Sequence, residues 1–248
     1  MKDYIEIQDN YNRGSYDRSV SPTFGTISFS SVMTRVYLWM TAALCLTAGI
    51  AFFTANSPAL LQLIYGNSAA IWVLCIAELG LVMGVSAGIN RLAPSTATML
   101  FLLYSALNGL TLSSIFFAYS LGTIYQAFAA SALTYGALSI YGATTKKDLS
   151  GIGGILLMAV IGLFIASVIN YFWANSTLDA IITYAGVFIF VGLTAYDTQK
   201  IKLLSVQAEG SNDAALPRRI AILGALTLYL DFINLFLFIL RLVGRNRD

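Results

Sequence analysis

Two aspartates lie inside apolar segments that are long enough to cross a membrane. Asp197 occurs in GVFIFVGLTAYDTQKIK and Asp231 in ILGALTLYLDFINLFLFILR. A carboxylate near the centre of a bilayer costs roughly 2.5 to 3.5 kcal/mol on insertion scales, so a chain that keeps one usually pairs, hydrates or protonates it. Two carboxylates on successive helices can share a site and then titrate as a unit. The two aspartates therefore indicate a pH-dependent switch or an ion site.

The last apolar segment carries a polar stripe. Its members are separated by three, four, three and seven residues and so share one face of a helix: Gly224, Thr227, Asp231, Asn234 and Arg241. In the preceding segment, Thr194 lies three residues before Asp197 and shares its face. Because these faces should contact protein or water rather than lipid, Thr194, Thr227 and Asn234 are candidates to line a pore.

The second segment carries a third acid, Glu78 in CIAELGLVMG. Together with Arg241 it indicates that the charged residues lie at two depths in the membrane. At 1.5 Å per residue, Asp231 and Arg241 are about 15 Å apart along one helix, too far for an ion pair. The side chain of Arg241 is long enough to meet Glu78 in the outer half of the membrane. We therefore predict an aspartate pair toward the cytoplasm and a Glu78–Arg241 latch toward the outside.

The excess of acids over Arg241 also suggests a permeant cation. Three carboxylates and one arginine leave an excess of negative charge, which protons or a metal ion would neutralise most simply. The chain contains no histidine, and carboxylate and carbonyl oxygens suit Ca²⁺ better than zinc or copper. We expect Asp197, Asp231 and Glu78 to be transient Ca²⁺ ligands, and no resident cofactor.

The composition is that of a polytopic membrane protein embedded in a lipid bilayer. Of 248 residues, 58% are apolar and 10% are charged, against about 25% charged in ordinary domains. The mean hydropathy is +0.75. A net charge of +2 gives no indication of nucleic acid as a partner.

Seven apolar segments can each cross about 30 Å of hydrocarbon as a helix. We expect a polar cytoplasmic tail over residues 1–30 and one all-α domain over residues 31–248, a single bundle. The predicted spans are 33–55, 69–89, 98–118, 121–142, 152–174, 179–200 and 220–243.

Basic residues in the short connections predict the orientation. The first, third and fifth connections carry none, whereas the others and the start of the first span carry eight lysines and arginines, which places the N-terminus in the cytoplasm. Seven crossings then put Arg241, Arg245 and Arg247 outside, against the positive-inside rule. Either the tail is carried across by the rest of the chain or the last segment re-enters, and seven crossings are favoured.

Glycines in two segments predict close helix packing. Gly80, Gly84 and Gly88 form two consecutive small-xxx-small steps in the second segment, and Gly186 and Gly192 reduce the side-chain bulk of the sixth. Such residues let two backbones approach each other in a membrane.

The segments that carry these acids resemble the Bax inhibitor family, also called transmembrane Bax inhibitor motif proteins. The resemblance runs from about Val32 to Arg241 and rests on TRVYLWMTAAL, AELGLVMG, VGLTAYDTQKIK and LGALTLYLDFINLFLFILR in fixed order. LYSALNGLTLSSIF and YGATTKKDLSG are most similar to the bacterial branch, which implies a bacterial inner membrane. The tail 1–30 is not covered.

The resemblance implies a fold and a function. The fold is a seven-helix bundle with the last helix central, and the function is a pH-sensitive calcium leak. Asp197 and Asp231 match the aspartates of the family's proton sensor, Glu78 and Arg241 match a latch pair, and Arg91 matches a basic residue at the cytoplasmic mouth. Bacterial relatives are also similar in associating with a membrane-bound ATP-dependent protease.

Two other classes of function compete with a channel. Intramembrane aspartyl proteases also place Tyr-Asp in a sixth span, as Tyr196 and Asp197 do. Their second acid follows Gly-x-Gly, whereas Leu228, Tyr229 and Leu230 precede Asp231 here, so the sequence favours a protein that is not an enzyme. A regulator or adaptor of a membrane-bound ATP-dependent protease needs no pore and remains the main alternative.

Overall fold

The structure, a computed structural model, is all-helical over the part of the chain that it describes, residues 31–88, 92–209, 213 and 215–245. The predicted tail 1–30 and Arg91 lie outside the described residues. The helices are α1 Ser31–Ala55, α2 Pro58–Tyr65, α3 Ser68–Gly88, α4 Pro94–Leu112, α5 Ile115–Ala118, α6 Leu121–Thr144, α7 Ser150–Trp173, α8 Ser176–Glu209 and α9 Leu216–Arg245.

Six stretches of the described chain are long and apolar enough to cross a membrane. They are α1, α3, α4 together with α5, α7, α8 and α9. The predicted span 121–142 forms α6, which has 24 residues but carries many Ser, Thr and Tyr side chains. The sequence prediction of a polytopic membrane protein is confirmed, whereas the seventh crossing, by α6, stays a prediction.

Helix boundaries differ from the predicted spans in two places. A short helix, α2, forms in the first connection, where Pro58 occupies its first turn, a position that does not need the missing N–H. The second difference is α8, which continues nine residues past the predicted end at 200. Ile201, Ser205 and Ala208 are buried on one face of that extension, so packing sustains the helix beyond the apolar run.

The last helix is the most buried of the candidate spans. Two thirds of its apolar window, 67%, is buried inside the structure, against 39% or less in the others. It contacts α8, α1, α6 and α4. Side chains on α9 therefore meet most of the bundle, and its polar residues are the ones that must find partners within the protein.

The glycines of the two segments differ in how closely other helices approach them. A Cβ at Gly186 would lie 2.5 Å from the ring of Phe238, which confirms close packing of α8 on α9. Cβ atoms at Gly80 and Gly84 would meet no heavy atom of the described chain within 4 Å. The prediction of close packing at that stripe is therefore wrong within this chain.

The two ends of the bundle carry very different charge. The end at which α1 begins, the basic end, carries Arg35, Lys146, Lys147, Lys200, Lys202, Arg218 and Arg219. At the opposite end, the far end, Arg245 donates to the carbonyl of Ser176 at 2.9 Å. The described residues of the far end carry three charged side chains, Asp179, Arg241 and Arg245.

Candidate functional site

Asp197 of α8 and Asp231 of α9 meet in the interior of the bundle. Asp231 is 5% exposed, Asp197 is partly buried, and their carboxyl groups lie close enough to interact directly. A hydrogen bond between two carboxyl groups requires that one of them carry the proton that it donates.

Asp231 is incompletely satisfied. Its Oδ2 atom is buried and has no hydrogen-bond partner among the described residues. An unpaired buried carboxylate oxygen is unfavourable, so the group gains from a proton, a cation or a rearrangement that brings a donor. This is the chemical property expected of a switch.

Glycines bring the helices that carry the aspartates close together. A Cβ at Gly224 would lie 2.9 Å from Ile201 of α8, and a Cβ at Gly142 of α6 would overlap the backbone carbonyl of Ala195. Small residues at these crossings allow backbones to approach. The aspartate pair is thus set between α8 and α9 with α6 packed against the same part of α8.

A cavity of about 250 Å³ adjoins Asp197. Ser86 of α3, Lys200 of α8 and Thr227 of α9 also line it, together with Ile201, Leu204, Ile220, Leu223 and Gly224. Because Lys200 and Ile220 lie toward the basic end, the cavity reaches Asp197 from that side. It offers a carboxylate and two hydroxyl groups to a hydrated ion.

The other predicted pore-lining residues are placed less favourably. Thr194 donates to the carbonyl of Phe190 at 2.7 Å, and Asn234 donates to the carbonyl of Leu230 at 2.8 Å. Both bond to their own helix, and neither lines the cavity beside Asp197. Of the three, Thr227 lines the cavity beside Asp197.

Hydroxyl groups of α1 and α6 form a neighbouring cluster that sequence reasoning missed. The Tyr37 hydroxyl and Ser139 share a hydrogen bond, and Ser139 lies 3.2 Å from the hydroxyl of Thr198. Tyr135, one turn before Ser139, packs its ring edge-on against Phe232 at 5.4 Å. The four-residue spacing of Tyr135 and Ser139 on one face of α6 was the available signal.

The predicted Glu78–Arg241 latch is not formed in this structure. Arg241 instead lies 3.6 Å from Asp179, and Arg245 lies 3.5 Å from the same carboxylate. Asp179 stands in the first turn of α8, and since α8 and α9 run antiparallel, that turn lies beside the last turns of α9. The sequence reading passed over Asp179 because it stood at the edge of a predicted span.

Glu78 belongs to a separate cluster, which we call the Tyr229 network. Thr111 of α4 donates to Glu78, and the side chain of Asn108 lies close to the same carboxylate. The Tyr229 hydroxyl donates to Asn108 at 3.1 Å and lies 2.7 Å from the hydroxyl of Thr47. The network ties α1, α3, α4 and α9 together.

Glu78 and the aspartate pair therefore do not form one three-carboxylate site. In the described part of the chain, no three side chains of the His, Cys, Asp or Glu type are grouped so that they could hold a metal ion. The aspartate pair remains as a two-carboxylate site, with Glu78 held elsewhere.

Comparisons with known proteins agree with the resemblance seen in the sequence. Residues 29–248 match the model of a family described as inhibitor of apoptosis-promoting Bax1. The chain is 49% identical to the inner membrane protein YbhL of Escherichia coli K12, over 93% of this chain and 97% of that protein. It is 44% identical to a protein of Deinococcus radiodurans, over 87% of this chain and 90% of that one. The chain is a polytopic integral membrane protein and belongs to the Bax inhibitor family.

Proposed function

We propose that this protein is a pH-sensitive calcium leak channel in which Asp197 and Asp231 sense protons. The observation that carries the proposal is the close approach of two carboxyl groups, one with a buried oxygen that has no partner among the described residues, beside a cavity that Lys200 and Ile220 line on the side of the basic end. The role is not enzymatic. Seven crossings with α9 central and a cytoplasmic N-terminus complete the proposal.

The proton count of the pair sets the state of the channel in this account. With one shared proton, the two carboxyl groups hydrogen-bond and hold α8 against α9. A second proton removes the acceptor with the strongest charge, and loss of the first leaves two like charges in contact. Either change alters the α8–α9 packing and, with it, the path from the cavity past Thr227.

The ion chemistry follows from the same groups. Asp197, Thr227 and Ser86 present oxygen atoms to the cavity, and oxygen ligands suit Ca²⁺. Two protein carboxylates do not make a high-affinity cage, which suits an ion in transit. The printed name of the relative YbhL supports an inner membrane location.

Purified protein in calcium-loaded liposomes tests the proposal. We expect faster Ca²⁺ release than from calcium-loaded liposomes that contain no protein. The rate of release should change between about pH 5 and pH 8. Asp197→Asn or Asp231→Asn should each flatten that dependence, because asparagine matches the acid in size but cannot ionise. The double substitution should add little, since a coupled pair fails as a unit.

A matched control is Asp148→Asn, which removes an exposed carboxylate between α6 and α7. It should leave the pH profile unchanged. Folded protein that releases no Ca²⁺ at any of these pH values would overturn the channel and favour the alternative, a regulator or adaptor of a membrane-bound ATP-dependent protease. A wild-type pH profile in both aspartate variants would show that Asp197 and Asp231 are not the proton sensor.

A further inference from the structure

Two arginines at the far end share a single counter-ion. Arg241 and Arg245 lie one turn apart on α9, and each pairs with a different oxygen of Asp179, at 3.6 and 3.5 Å. The three side chains are 39% to 45% exposed. Two positive charges against one negative leave +1, and the described residues of this end contribute no further charge.

The arginines are held in place with donors left over. A guanidinium group has five N–H donors in a planar fork. Arg245 uses one on the carbonyl of Ser176, and Arg241 makes no hydrogen bond to the described residues, because its approach to Asp179 is longer than one. The Phe238 ring lies 5.8 Å from the Arg241 guanidinium. Planar forks of this kind match the oxygens of a phosphate group.

Exposed aromatic residues place this cluster at the surface of the membrane. Tyr171, Phe172 and Trp173 end α7, and each is at least 75% exposed. The chain turns sharply after them, with Ala174 at φ 48°, and Ser176, the acceptor of Arg245, follows two residues later. Tyrosine and tryptophan concentrate at the level of the lipid headgroups. The arginine pair therefore lies where lipid phosphates are found.

We propose that Arg241 and Arg245, which share Asp179 as a counter-ion, bind the headgroup phosphate of an anionic phospholipid with one net negative charge. The lipid charge matches the +1 of the cluster, and the phosphate supplies acceptors for the donors that Asp179 and Ser176 leave over. A bound headgroup also accounts for two arginines on the side of the membrane that the positive-inside rule leaves poor in basic residues. The inference is independent of ion conduction.

Lipid retention by the purified full-length protein tests the site. In mild detergent with phosphatidylglycerol or phosphatidylcholine, native mass spectrometry should show preferential retention of phosphatidylglycerol. Juxtamembrane arginines contribute about fivefold each to binding of anionic lipid, so Arg241→Gln with Arg245→Gln should abolish the preference. Lys146→Gln with Lys147→Gln removes the same charge at the basic end and is the control, which should retain the preference.

A second variant keeps the test decisive if the double arginine variant does not fold. Asp179→Asn frees both arginines and should strengthen phosphatidylglycerol retention by a few fold, whereas arginines that serve only as an ion pair would bind no more lipid after it. Equal retention of both lipids by the wild-type protein would overturn the proposal. Displacement of the lipid by an equal concentration of inorganic phosphate would assign the site to a free anion instead.

Discussion

Tyr229 and Asp231 lie two residues apart on α9, and their side chains differ in how completely the protein satisfies their hydrogen-bonding groups. In the Tyr229 network, Asn108 accepts from Tyr229 and Glu78 accepts from Thr111. Among the described residues, no fully buried side-chain oxygen or nitrogen of that network lacks a partner, whereas Asp231 keeps one buried oxygen without any.

The difference suits the Tyr229 network to a structural role and the aspartate pair to a switching role. A fully satisfied polar network fixes the helices that it joins and loses energy if any member changes. A carboxyl pair with an unfilled acceptor has more than one way to be satisfied, by a proton, by a cation or by movement. One turn of the same helix therefore serves both purposes, because its side chains point in different directions.

The largest effect on stability should come from breaking the Tyr229 network. Asn108→Leu removes the amide oxygen that accepts from the Tyr229 hydroxyl, which then keeps Thr47 as its remaining partner, and it removes a polar neighbour of Glu78. Each buried group left without an adequate partner costs about 1 to 3 kcal/mol, which thermal unfolding in detergent would detect as a clear drop in midpoint. Asn234→Leu is the matched control, since Asn234 bonds only to a carbonyl of its own helix.

If Asn108→Leu and Asn234→Leu lower the unfolding midpoint equally, the Tyr229 network contributes no more to stability than a hydrogen bond within one helix. The proposed difference between the two sides of α9 is then wrong. The pH dependence of Ca²⁺ release should survive Asn108→Leu in whatever protein remains folded, because the aspartate pair is untouched. A flattened profile in that variant would show that the two sides of α9 are not separate.

A smaller effect is expected where α6 crosses α8. In Gly142→Val, the added atoms meet the backbone carbonyl of Ala195, which cannot rotate away. Overpacking of this kind costs typically about 1 to 3 kcal/mol, and here it also displaces the helix that carries Asp197. Gly136→Val is the control, because no heavy atom lies within 4 Å of a Cβ at that position.

We expect Gly142→Val to lower the unfolding midpoint and to alter the pH profile of release, and Gly136→Val to do neither. Equal behaviour of the two variants would mean that the α6–α8 contact does not position the aspartate. The comparison sharpens the account because both substitutions add the same atoms to the same helix.

The sequence was sufficient to predict an all-helical membrane protein and to place Asp197 and Asp231 on successive helices. Apolar runs of fixed length and their polar breaks located the predicted spans, and an acid inside an apolar helix has few ways to be satisfied. The end of α8 was missed because Ile201, Ser205 and Ala208 continue the helix by packing one face, which mean hydropathy does not register.

The partners of Glu78 and Arg241 could not be predicted from composition. Opposite charges suggested a pair, but neutral donors on α4 satisfy Glu78, and the antiparallel course of α8 and α9 brings Asp179 to Arg241. Which of several compatible partners a charge takes depends on helix rotation and tilt. Those quantities are set by the whole bundle and leave no local signal.

Infrared titration of the carboxyl groups tests the shared proton most directly. The account predicts that purified wild-type protein shows the C=O stretch of a protonated, hydrogen-bonded carboxyl group near neutral pH, and that Asp197→Asn and Asp231→Asn each remove or shift it. Glu78→Gln should leave that band in place. A wild-type protein without such a band, or a band that survives unchanged in both aspartate variants, would contradict the account.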